Sequence, residues 1–169
     1  MINVVQGNLV NKVKEGYYIA HQCNMCTGMV LGVARDIYTK YPRTNKRNGK
    51  RYNLDKFGTV EVVPVEFGND GGVINMYAQF YPGMGYEGNI VDFKGNSKEN
   101  MDSTESREEA FKKCLEAIRP SIVDGTIKKL AFPLGIGCGL AKGNWKNYNQ
   151  MIEDFSKTVN IEILYVSKD

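Results

Sequence analysis

The most informative segment of this sequence is Phe132-Pro133-Leu134-Gly135-Ile136-Gly137-Cys138-Gly139-Leu140. It continues a short apolar strand pattern at Lys129–Pro133 and leads toward a helix that begins near Trp145. Ligands of α/β proteins gather at the carboxyl ends of strands, where glycines let backbone N–H groups approach phosphate oxygens. The segment therefore predicts a phosphate-binding loop, and the alternative is a glycine-rich turn that is packed for structural reasons alone.

The spacing of Gly135, Gly137 and Gly139 excludes two common nucleotide motifs. It does not match G-x-G-x-x-G, and no βαβ unit at the start of the chain carries it. The segment also lacks the Gly-Lys-Ser/Thr that ends a P-loop, which excludes a P-loop ATPase.

A second passage from strand to helix lies near the start of the chain. A strand pattern at Tyr17–Cys23 runs into a glycine-bearing loop, Asn24–Ala34. The following apolar residues recur on one face of a helix that Pro42 ends, namely Val30, Ala34, Ile37, Tyr38 and Tyr41. The N-terminus of such a helix carries partial positive charge, so this loop is a second candidate for binding phosphate.

Four further segments have strand patterns: Ile2–Gln6, Thr59–Phe67, Val73–Gln79 and Ile161–Val166. In the second of these the apolar parity shifts between Val62 and Val63, which indicates a bulge or an edge strand. Asn69-Asp70-Gly71-Gly72 is typical of a turn. Pro82–Asn100 has no period and is predicted to be a long surface loop of the kind that often covers a site.

Two further helices are predicted. One lies near Thr104–Arg119, with capping-box spacing at Ser106 and Glu109, and a start a few residues earlier is left open. The last helix has Asn144 as its N-cap and an apolar face formed by Trp145, Tyr148, Ile152 and Phe155. The alternation of strands and helices predicts a single α/β domain over residues 1–169, a three-layer α/β/α sandwich around a mixed sheet.

Composition limits the classes of function. The chain has 169 residues and a formal net charge of +3, which suits one globular domain and is too small a charge to indicate nucleic acid as a partner. We therefore favour the interpretation of the basic stretch Arg43–Lys56 as a solvated helix or loop over that of an RNA-contacting patch. No apolar run approaches a membrane span and no leader pattern precedes the first strand, so we expect a cytoplasmic protein without a membrane partner.

The cysteines do not form a metal-binding pattern. Cys23 and Cys26 make a lone C-x-x-C, and the other two thiols are Cys114 and Cys138. A structural zinc needs four ligands, and the chain has neither a second such pair nor paired histidines. We therefore expect reduced thiols, no metal site and no cofactor.

In this order the motifs resemble those of macro domains. Gln6-Gly7-Asn8-Leu9 resembles the Gly-Asp opening of that family, and His21-Gln22-Cys23-Asn24 resembles its distal-ribose asparagine segment. Pro133–Leu140, followed by Trp145, is similar to a loop of the branch that contains ADP-ribose-1''-phosphate phosphatases and terminal ADP-ribose protein glycohydrolases. The resemblance covers nearly the whole chain and implies a six-stranded mixed sheet, with ADP-ribose in a cleft across the strand ends.

The resemblance implies a role for each matching residue. Asn8 stands where the family has an aspartate against the adenine amino group, and its amide oxygen can accept the same hydrogen bond. Asn24 would contact the distal ribose, and backbone amides of the two loops would hold the phosphates. We expect Gly137→Val to block the diphosphate while the fold survives. The ligand-binding residues expected in this way are Gly7, Asn8, Leu9, Asn24, Gly32, Val33, Ala34, Gln79, Pro133, Gly135, Ile136, Gly137, Cys138, Gly139 and Leu140.

Three features depart from the family pattern. Val30 stands where the first loop usually has glycine. Ala141 stands where the glycohydrolases carry an aspartate, and Asn75–Gln79 contains no lysine where those enzymes use one. The absence of both groups weakens an assignment as a de-ADP-ribosylating hydrolase, which stays a third hypothesis.

His21 is the single histidine of the chain and falls beside the implied distal-ribose end. Phosphatases of this branch can carry a histidine at the matching place, and histidine suits acid–base catalysis at neutral pH. The alternative is a strand-end histidine satisfied by backbone groups. Lys142 and Asp92 are secondary candidates, because each could reach the site.

Two hypotheses of function follow. The first is an ADP-ribose-1''-phosphate phosphatase with His21 and Asn24 as catalytic residues, which the histidine slightly favours. The second is a non-catalytic module that binds ADP-ribose or an ADP-ribose-like signal. The expected partners are ADP-ribose or ADP-ribose-1''-phosphate, and an ADP-ribosylated macromolecule is left open.

Overall fold

The computed structural model describes residues 1–26, 31–47, 54–65, 71–92 and 94–168. Five predicted features fall partly outside these residues. They are positions 27–30 of the first loop, which include Val30, positions 48–53 of the basic stretch, positions 66 and 67 of the predicted strand Thr59–Phe67, Asn69 and Asp70 of the predicted turn, and position 93 of the predicted loop Pro82–Asn100.

A mixed sheet forms the centre of the fold. The strands are, in chain order, β1 (Asn3–Gln6), β2 (Tyr18–Gln22), β3 (Val60–Pro64), β4 (Gly72–Met76), β5 (Asn89–Val91), β6 (Ser97–Glu99), β7 (Lys129–Pro133) and β8 (Glu162–Ser167). All but β5 and β6 lie in one six-stranded sheet, in the order β1-β8-β7-β2-β4-β3. Neighbours are parallel except β3, which runs antiparallel to β4. The predicted mixed sheet is confirmed.

Helices cover both faces of this sheet. The α-helices are α1 (Gly32–Lys40), α2 (Thr104–Val123) and α3 (Trp145–Ser156), and the 3-10 helices are Leu9–Glu15, Pro42–Thr44 and Leu54–Lys56. One core cluster joins α2 and α3 to the sheet, and a second joins α1 and Leu9–Glu15 to the opposite face. This arrangement is the predicted three-layer sandwich.

The central strands explain why the sheet is sandwiched. Every residue of β4 is buried, as are all residues of β2 except Gln22. Successive side chains of a strand point to opposite faces, so Tyr18 and Ala20 join the cluster under α2 and α3, while Ile19 joins the other. Strands that are apolar on both faces require a helical layer on each side.

The irregular parity of β3 reflects an edge position. Its register with β4 is unbroken, from Val60 opposite Met76 to Pro64 opposite Gly72, so no bulge is present. The residues of β3 are half-buried or exposed because only one neighbouring strand covers them. Of the two explanations that the sequence allowed, the edge strand is confirmed.

The capping of α2 distinguishes between the starts that the sequence allowed. The N-cap is Ser103, whose Oγ accepts a hydrogen bond from the backbone N–H of Ser106 at 3.1 Å. The N-cap therefore lies one turn before the capping-box pair of Ser106 and Glu109, at the earlier start that the sequence left open, and the helix begins at Thr104 as predicted. The helix also continues past Pro120 to Val123, whereas the predicted boundary was Arg119.

The segment predicted as a long loop contains the β5–β6 hairpin. Asp92 holds its turn, because Oδ1 accepts hydrogen bonds from the N–H groups of Lys94 and Asn96, each at 2.9 Å. Its Oδ2 accepts from the N–H of Leu54 at 3.2 Å. Asp92 is thus a structural anchor of the hairpin, which argues against its secondary candidacy at the site.

The other predicted elements agree with the structure within a few residues. Lys129–Pro133 is β7 as predicted, and Asn144 caps α3 by accepting a hydrogen bond from Lys146 N–H at 3.0 Å. α1 ends at Lys40, just before Pro42. No helix within the described ranges is both long and apolar enough to cross a membrane.

Candidate ligand-binding cleft

A cleft of about 560 Å³ opens at the carboxyl ends of β7, β2 and β4. These strands are adjacent in the sheet and parallel, so the segments that follow them meet at one edge. The cleft is lined by His21, Gln22, Cys23, Asn24, Leu31, Gly32, Val33, Ala34, Arg47, Gln79, Pro82, Gly83, Pro133, Leu134, Gly135, Ile136, Gly137, Gly139, Leu140 and Ala141. Both predicted loops contribute to it.

The loop after β7 presents backbone donors at every second residue. The N–H of Ile136 donates to Pro133 O at 3.0 Å, and that of Cys138 donates to Gly135 O at 2.9 Å. The N–H groups of Gly135, Gly137 and Gly139 have no acceptor within the described part of the chain. An anion in the cleft could accept hydrogen bonds from these groups.

Gly137 is required by the core as well as by the loop. A Cβ on this residue would lie 2.7 Å from Cε1 of Tyr148, and its φ of +77° is strained for any other residue. Tyr148 is 1% exposed. The expectation that Gly137→Val spares the fold is therefore wrong. Gly139 is the suitable position for that test, because a Cβ there meets nothing within 4 Å.

The first loop brings the N-terminus of α1 to the cleft. Gly32, Val33 and Ala34 begin this helix and line the cleft. The N-cap residue, Leu31, makes no side-chain hydrogen bond, so it satisfies none of the N–H groups that a helix start leaves open. The two loops approach each other closely, since a Cβ on Gly32 would lie 3.8 Å from Cδ1 of Leu140.

Asn24 lies at the end of β2 and is held by an arginine. Nη1 of Arg47 donates to the side-chain oxygen of Asn24 at 2.8 Å and also to its backbone oxygen. Arg47 is 7% exposed and lines the cleft, whereas Arg43 and Lys46 of the same stretch are exposed. Reading the whole basic stretch as solvated is therefore wrong at Arg47, because no periodicity in that stretch distinguishes the one residue that turns inward.

His21 lies in the wall of the cleft but is 2% exposed. Its Nε2 is 2.8 Å from Oδ1 of Asn75, an atom that can only accept, so Nε2 carries the proton. The partner is thus a side chain on β4 rather than the backbone. Burial lowers the pKa of His21 to about 4, the hydrogen bond to Asn75 opposes this fall, and the positive charge of Arg47 adds to it.

This pKa lies below the ordinary histidine range and argues against the predicted role of His21 in acid–base catalysis at neutral pH. Asn75 also accepts a hydrogen bond from Tyr38 Oη at 2.8 Å and donates from Nδ2 to Thr44 O at 2.8 Å. Cys23 lies 3.4 Å from Nε2 of His21, and burial raises the pKa of the Cys23 thiol to about 11. At neutral pH the imidazole and the thiol are uncharged.

The residues expected at the adenine end lie outside the lining of the cleft. Oδ1 of Asn8 accepts a hydrogen bond from Val10 N–H at 3.3 Å and caps the helix Leu9–Glu15. Leu9 is 8% exposed within the core cluster of α1. Gly7 continues the β1–β8 ladder by donating to Ser167 O at 2.9 Å. Cys138 is also absent from the lining, and its Sγ faces Ile136 O at 3.4 Å.

Gln79, Pro82 and Gly83 form a further wall of the cleft. Pro82 and Gly83 begin the segment predicted to be a loop of the kind that covers a site. The predicted ligand residue Gln79 donates from Nε2 to Tyr81 O at 3.0 Å and accepts from Gln22 at 2.8 Å. A buried ion pair fixes this wall: Arg107 Nη2 lies 2.8 Å from Asp102 Oδ2, and both side chains are almost fully buried. Asp102 accepts from Phe80 N–H at 2.6 Å, and Arg107 donates to Gly83 O at 2.7 Å.

The thiols Cys23, Cys26, Cys114 and Cys138 are free. Among the described residues, no three or more histidine, cysteine, aspartate or glutamate side chains are grouped to hold a metal ion.

Comparison with known proteins identifies the fold. The macrodomain of Mycobacterium tuberculosis DarG superposes with a TM-score of 0.65 at 16% identity, over 98% of this chain and 97% of that one. Thermosipho africanus DarTG in complex with ADP-ribose gives a TM-score of 0.63 at 14% identity, over 99% of this chain and 42% of that one. The chain therefore has the macrodomain fold.

One relative in sequence is an uncharacterized 17.5 kDa protein in the tk-vs intergenic region of Enterobacteria phage T4. It is 24% identical over 168 residues, which cover 97% of this chain and 96% of the relative. No family profile matches the chain.

Proposed function

We propose that this protein binds ADP-ribose or a close derivative, with the diphosphate held between the two loops. The observation that carries the proposal is the pairing of two groups of backbone donors across one cleft. One group is the start of α1 at Gly32–Ala34, and the other is formed by Gly135, Gly137 and Gly139. Backbone N–H groups at a helix start and in a glycine-rich turn are suited to phosphate oxygens.

The dimensions and the fold agree with such a ligand. A volume of about 560 Å³ falls in the range of small-molecule and cofactor sites. One protein with the same fold, Thermosipho africanus DarTG, has been solved in complex with ADP-ribose. In our proposal the distal ribose lies toward Asn24, and the adenine lies toward Gly7–Leu9 at the β1 side of the same sheet edge.

Calorimetry with ADP-ribose and AMP tests the proposal. We expect ADP-ribose to bind and to raise the melting temperature, because a ligand that binds only the folded state stabilises it. AMP should bind more weakly, since it lacks the distal ribose and one phosphate. Absence of heat and of any thermal shift at about millimolar ADP-ribose, which corresponds to less than about 4 kcal/mol of binding free energy, would contradict the proposal.

A second candidate function is hydrolysis of ADP-ribose-1''-phosphate at the end where His21 and Asn24 lie. The observation that favours it is that both residues line the cleft beside the positive charge of Arg47. A buried imidazole with a pKa of about 4 is a weak base at neutral pH, which argues against general-base catalysis by His21. Ala141 lines the cleft and adds no carboxylate, and no observation favours removal of ADP-ribose from macromolecules.

Phosphate release from ADP-ribose-1''-phosphate separates these alternatives. If His21 assists the reaction, His21→Gln should lower turnover by roughly 10²–10⁴-fold while ADP-ribose still binds. Glutamine keeps a donor for Asn75, so a folded variant is expected. Binding of ADP-ribose without any phosphate release by the wild type would identify a non-catalytic module.

A further inference from the structure

Two neighbouring tyrosines, Tyr81 and Tyr86, are exposed beside the cleft, and we call them the tyrosine pair. Tyr81 is 37% exposed and Tyr86 is 42% exposed, and their rings meet edge to face with centroids 5.2 Å apart. Every other tyrosine, phenylalanine and tryptophan that the structure describes is buried or half-buried. A tyrosine ring is largely apolar, so two exposed rings in contact form a surface suited to a flat apolar group.

The tyrosine pair adjoins the end of the cleft where Asn24 lies. The N–H of Met25, the residue after Asn24, donates to Phe80 O at 3.0 Å. Phe80 packs edge to face on Tyr81, with ring centroids 4.8 Å apart. Pro82, the residue after Tyr81, lines the cleft. A group that extends from a ligand at the Asn24 end therefore has the tyrosine pair as its neighbour.

Asp102 holds the backbone of both tyrosines in place. Its Oδ2 accepts a hydrogen bond from Tyr81 N–H at 3.1 Å, and its backbone oxygen accepts one from Tyr86 N–H at 2.7 Å. Arg107, the buried ion-pair partner of Asp102, donates to Tyr81 O at 3.0 Å. A surface that is fixed before binding loses little conformational entropy when a ring stacks on it.

We propose that the tyrosine pair is a subsite for a neutral planar ring on the distal ribose, so that the ligand is a dinucleotide rather than ADP-ribose alone. The inference rests on the proposed function, since it takes the distal ribose to lie toward Asn24. Stacking on an aromatic side chain suits any heteroaromatic ring, because each has a π-face. The ring is neutral, because the guanidinium of Arg47 is bound to Asn24 at the same end and would repel a cationic ring.

Calorimetry on the whole chain with NADH, NAD⁺ and ADP-ribose tests the proposal. The three ligands share the ADP-ribose unit and differ in the group on the distal ribose, which is a neutral ring in NADH and a cationic ring in NAD⁺. The wild type should bind NADH about 5- to 100-fold more tightly than ADP-ribose, which is the range of stacking for one base. It should also bind NADH more tightly than NAD⁺, because of the charge of Arg47.

Substitutions in the tyrosine pair separate stacking from apolar contact. Tyr86→Leu keeps apolar bulk but removes a ring, so it should remove most of the preference for NADH while ADP-ribose affinity is retained. Tyr81→Leu should have the same effect, whereas Tyr81→Phe keeps a ring and should keep the preference. Val123→Ala is the control, because it truncates an exposed apolar side chain at the end of α2 and should leave both affinities unchanged.

Several results would overturn the inference. Equal affinity of the wild type for NADH and ADP-ribose would do so without any variant, which keeps the test valid if a leucine variant does not fold. Full preference for NADH in both leucine variants would place the ring away from the tyrosine pair. Tighter binding of NAD⁺ than of NADH would contradict a ring position close to Arg47. Failure to bind ADP-ribose at all would instead refute the proposed function.

Discussion

The single histidine should make the folded protein sensitive to mild acid. Burial lowers the pKa of His21 from 6.5 to about 4, so between these values the unfolded chain binds a proton that the folded chain does not. The free energy of unfolding therefore falls as the pH falls through this window, and the full stability is present above pH 6.5. At about 1.4 kcal/mol for each pKa unit, the loss is about 3 kcal/mol by pH 4, of which about 2 kcal/mol is lost by pH 5.

The upper part of this window isolates His21 from other groups. The chain has one histidine, and carboxyl groups titrate mainly below about pH 5. Around the imidazole, burial raises the pKa of Cys23 and of Tyr38. Urea unfolding of the wild type and of His21→Gln between about pH 7 and pH 5 measures the contribution directly. The free energy of unfolding of the variant should stay nearly constant over that interval.

Two results would refute this reasoning. One is the same pH dependence in the wild type and in His21→Gln, which would assign the acid sensitivity to other groups. The other is an imidazole NMR signal that titrates near the unperturbed value of about 6.5 in the folded protein. The pKa of such a histidine would be the same in the folded and the unfolded chain, so it could not make the free energy of unfolding depend on pH.

Three substitutions test the loops and the wall of the cleft. Gly139→Val adds a side chain at a position where a Cβ meets nothing within 4 Å, so the melting temperature should change little. The same change should weaken ADP-ribose binding at least tenfold, about 1.4 kcal/mol. Unchanged affinity would mean that the loop is only structural. Gly137→Ala should instead lower the free energy of unfolding by about 1–3 kcal/mol, because its Cβ collides with Tyr148, and a melting curve like that of the wild type would contradict this packing. Asp102→Asn should cost about 3–5 kcal/mol in urea unfolding, since it leaves the charge of Arg107 buried and unpaired; a loss below about 1 kcal/mol is what an exposed pair would give.

The fold was predictable because its signals are local. Strands such as β7 are short apolar runs, and α3 begins at a residue whose side chain caps it. Hydrophobic periodicity and helix caps involve residues that are close in sequence, so both can be recognised without knowledge of tertiary contacts. The start of α2 shows the limit of such local signals: the sequence allowed a start at the pair of Ser106 and Glu109 or a few residues earlier, and only the observed hydrogen bond to Ser103 distinguishes the two.

The site was predictable only where backbone groups form it. Glycine patterns located both loops, because glycine reports on the main chain. A glycine pattern does not show where a Cβ added at each position would point. Gly137 and Gly139 therefore appeared equivalent in the sequence, although a Cβ on Gly137 would collide with Tyr148 and a Cβ on Gly139 would meet nothing within 4 Å. The role of Arg47 was also hidden, since burial of one basic residue among many depends on contacts with Asn24 and Tyr38, which are distant in sequence.

The ion pair of Asp102 and Arg107 has a mechanical consequence for how a ligand enters. Arg107 belongs to the first turns of α2, and through Tyr81 O, Gly83 O and Met84 O it couples one wall of the cleft to that helix. Moving this wall would expose a charge pair that is almost fully buried, so its opening should be rare on the timescale of ligand exchange. We expect the amide of Phe80, held by Asp102, to exchange with solvent as slowly as core amides do. Entry and release then depend on other parts of the lining, which include the exposed side chains of Leu31 and Leu140.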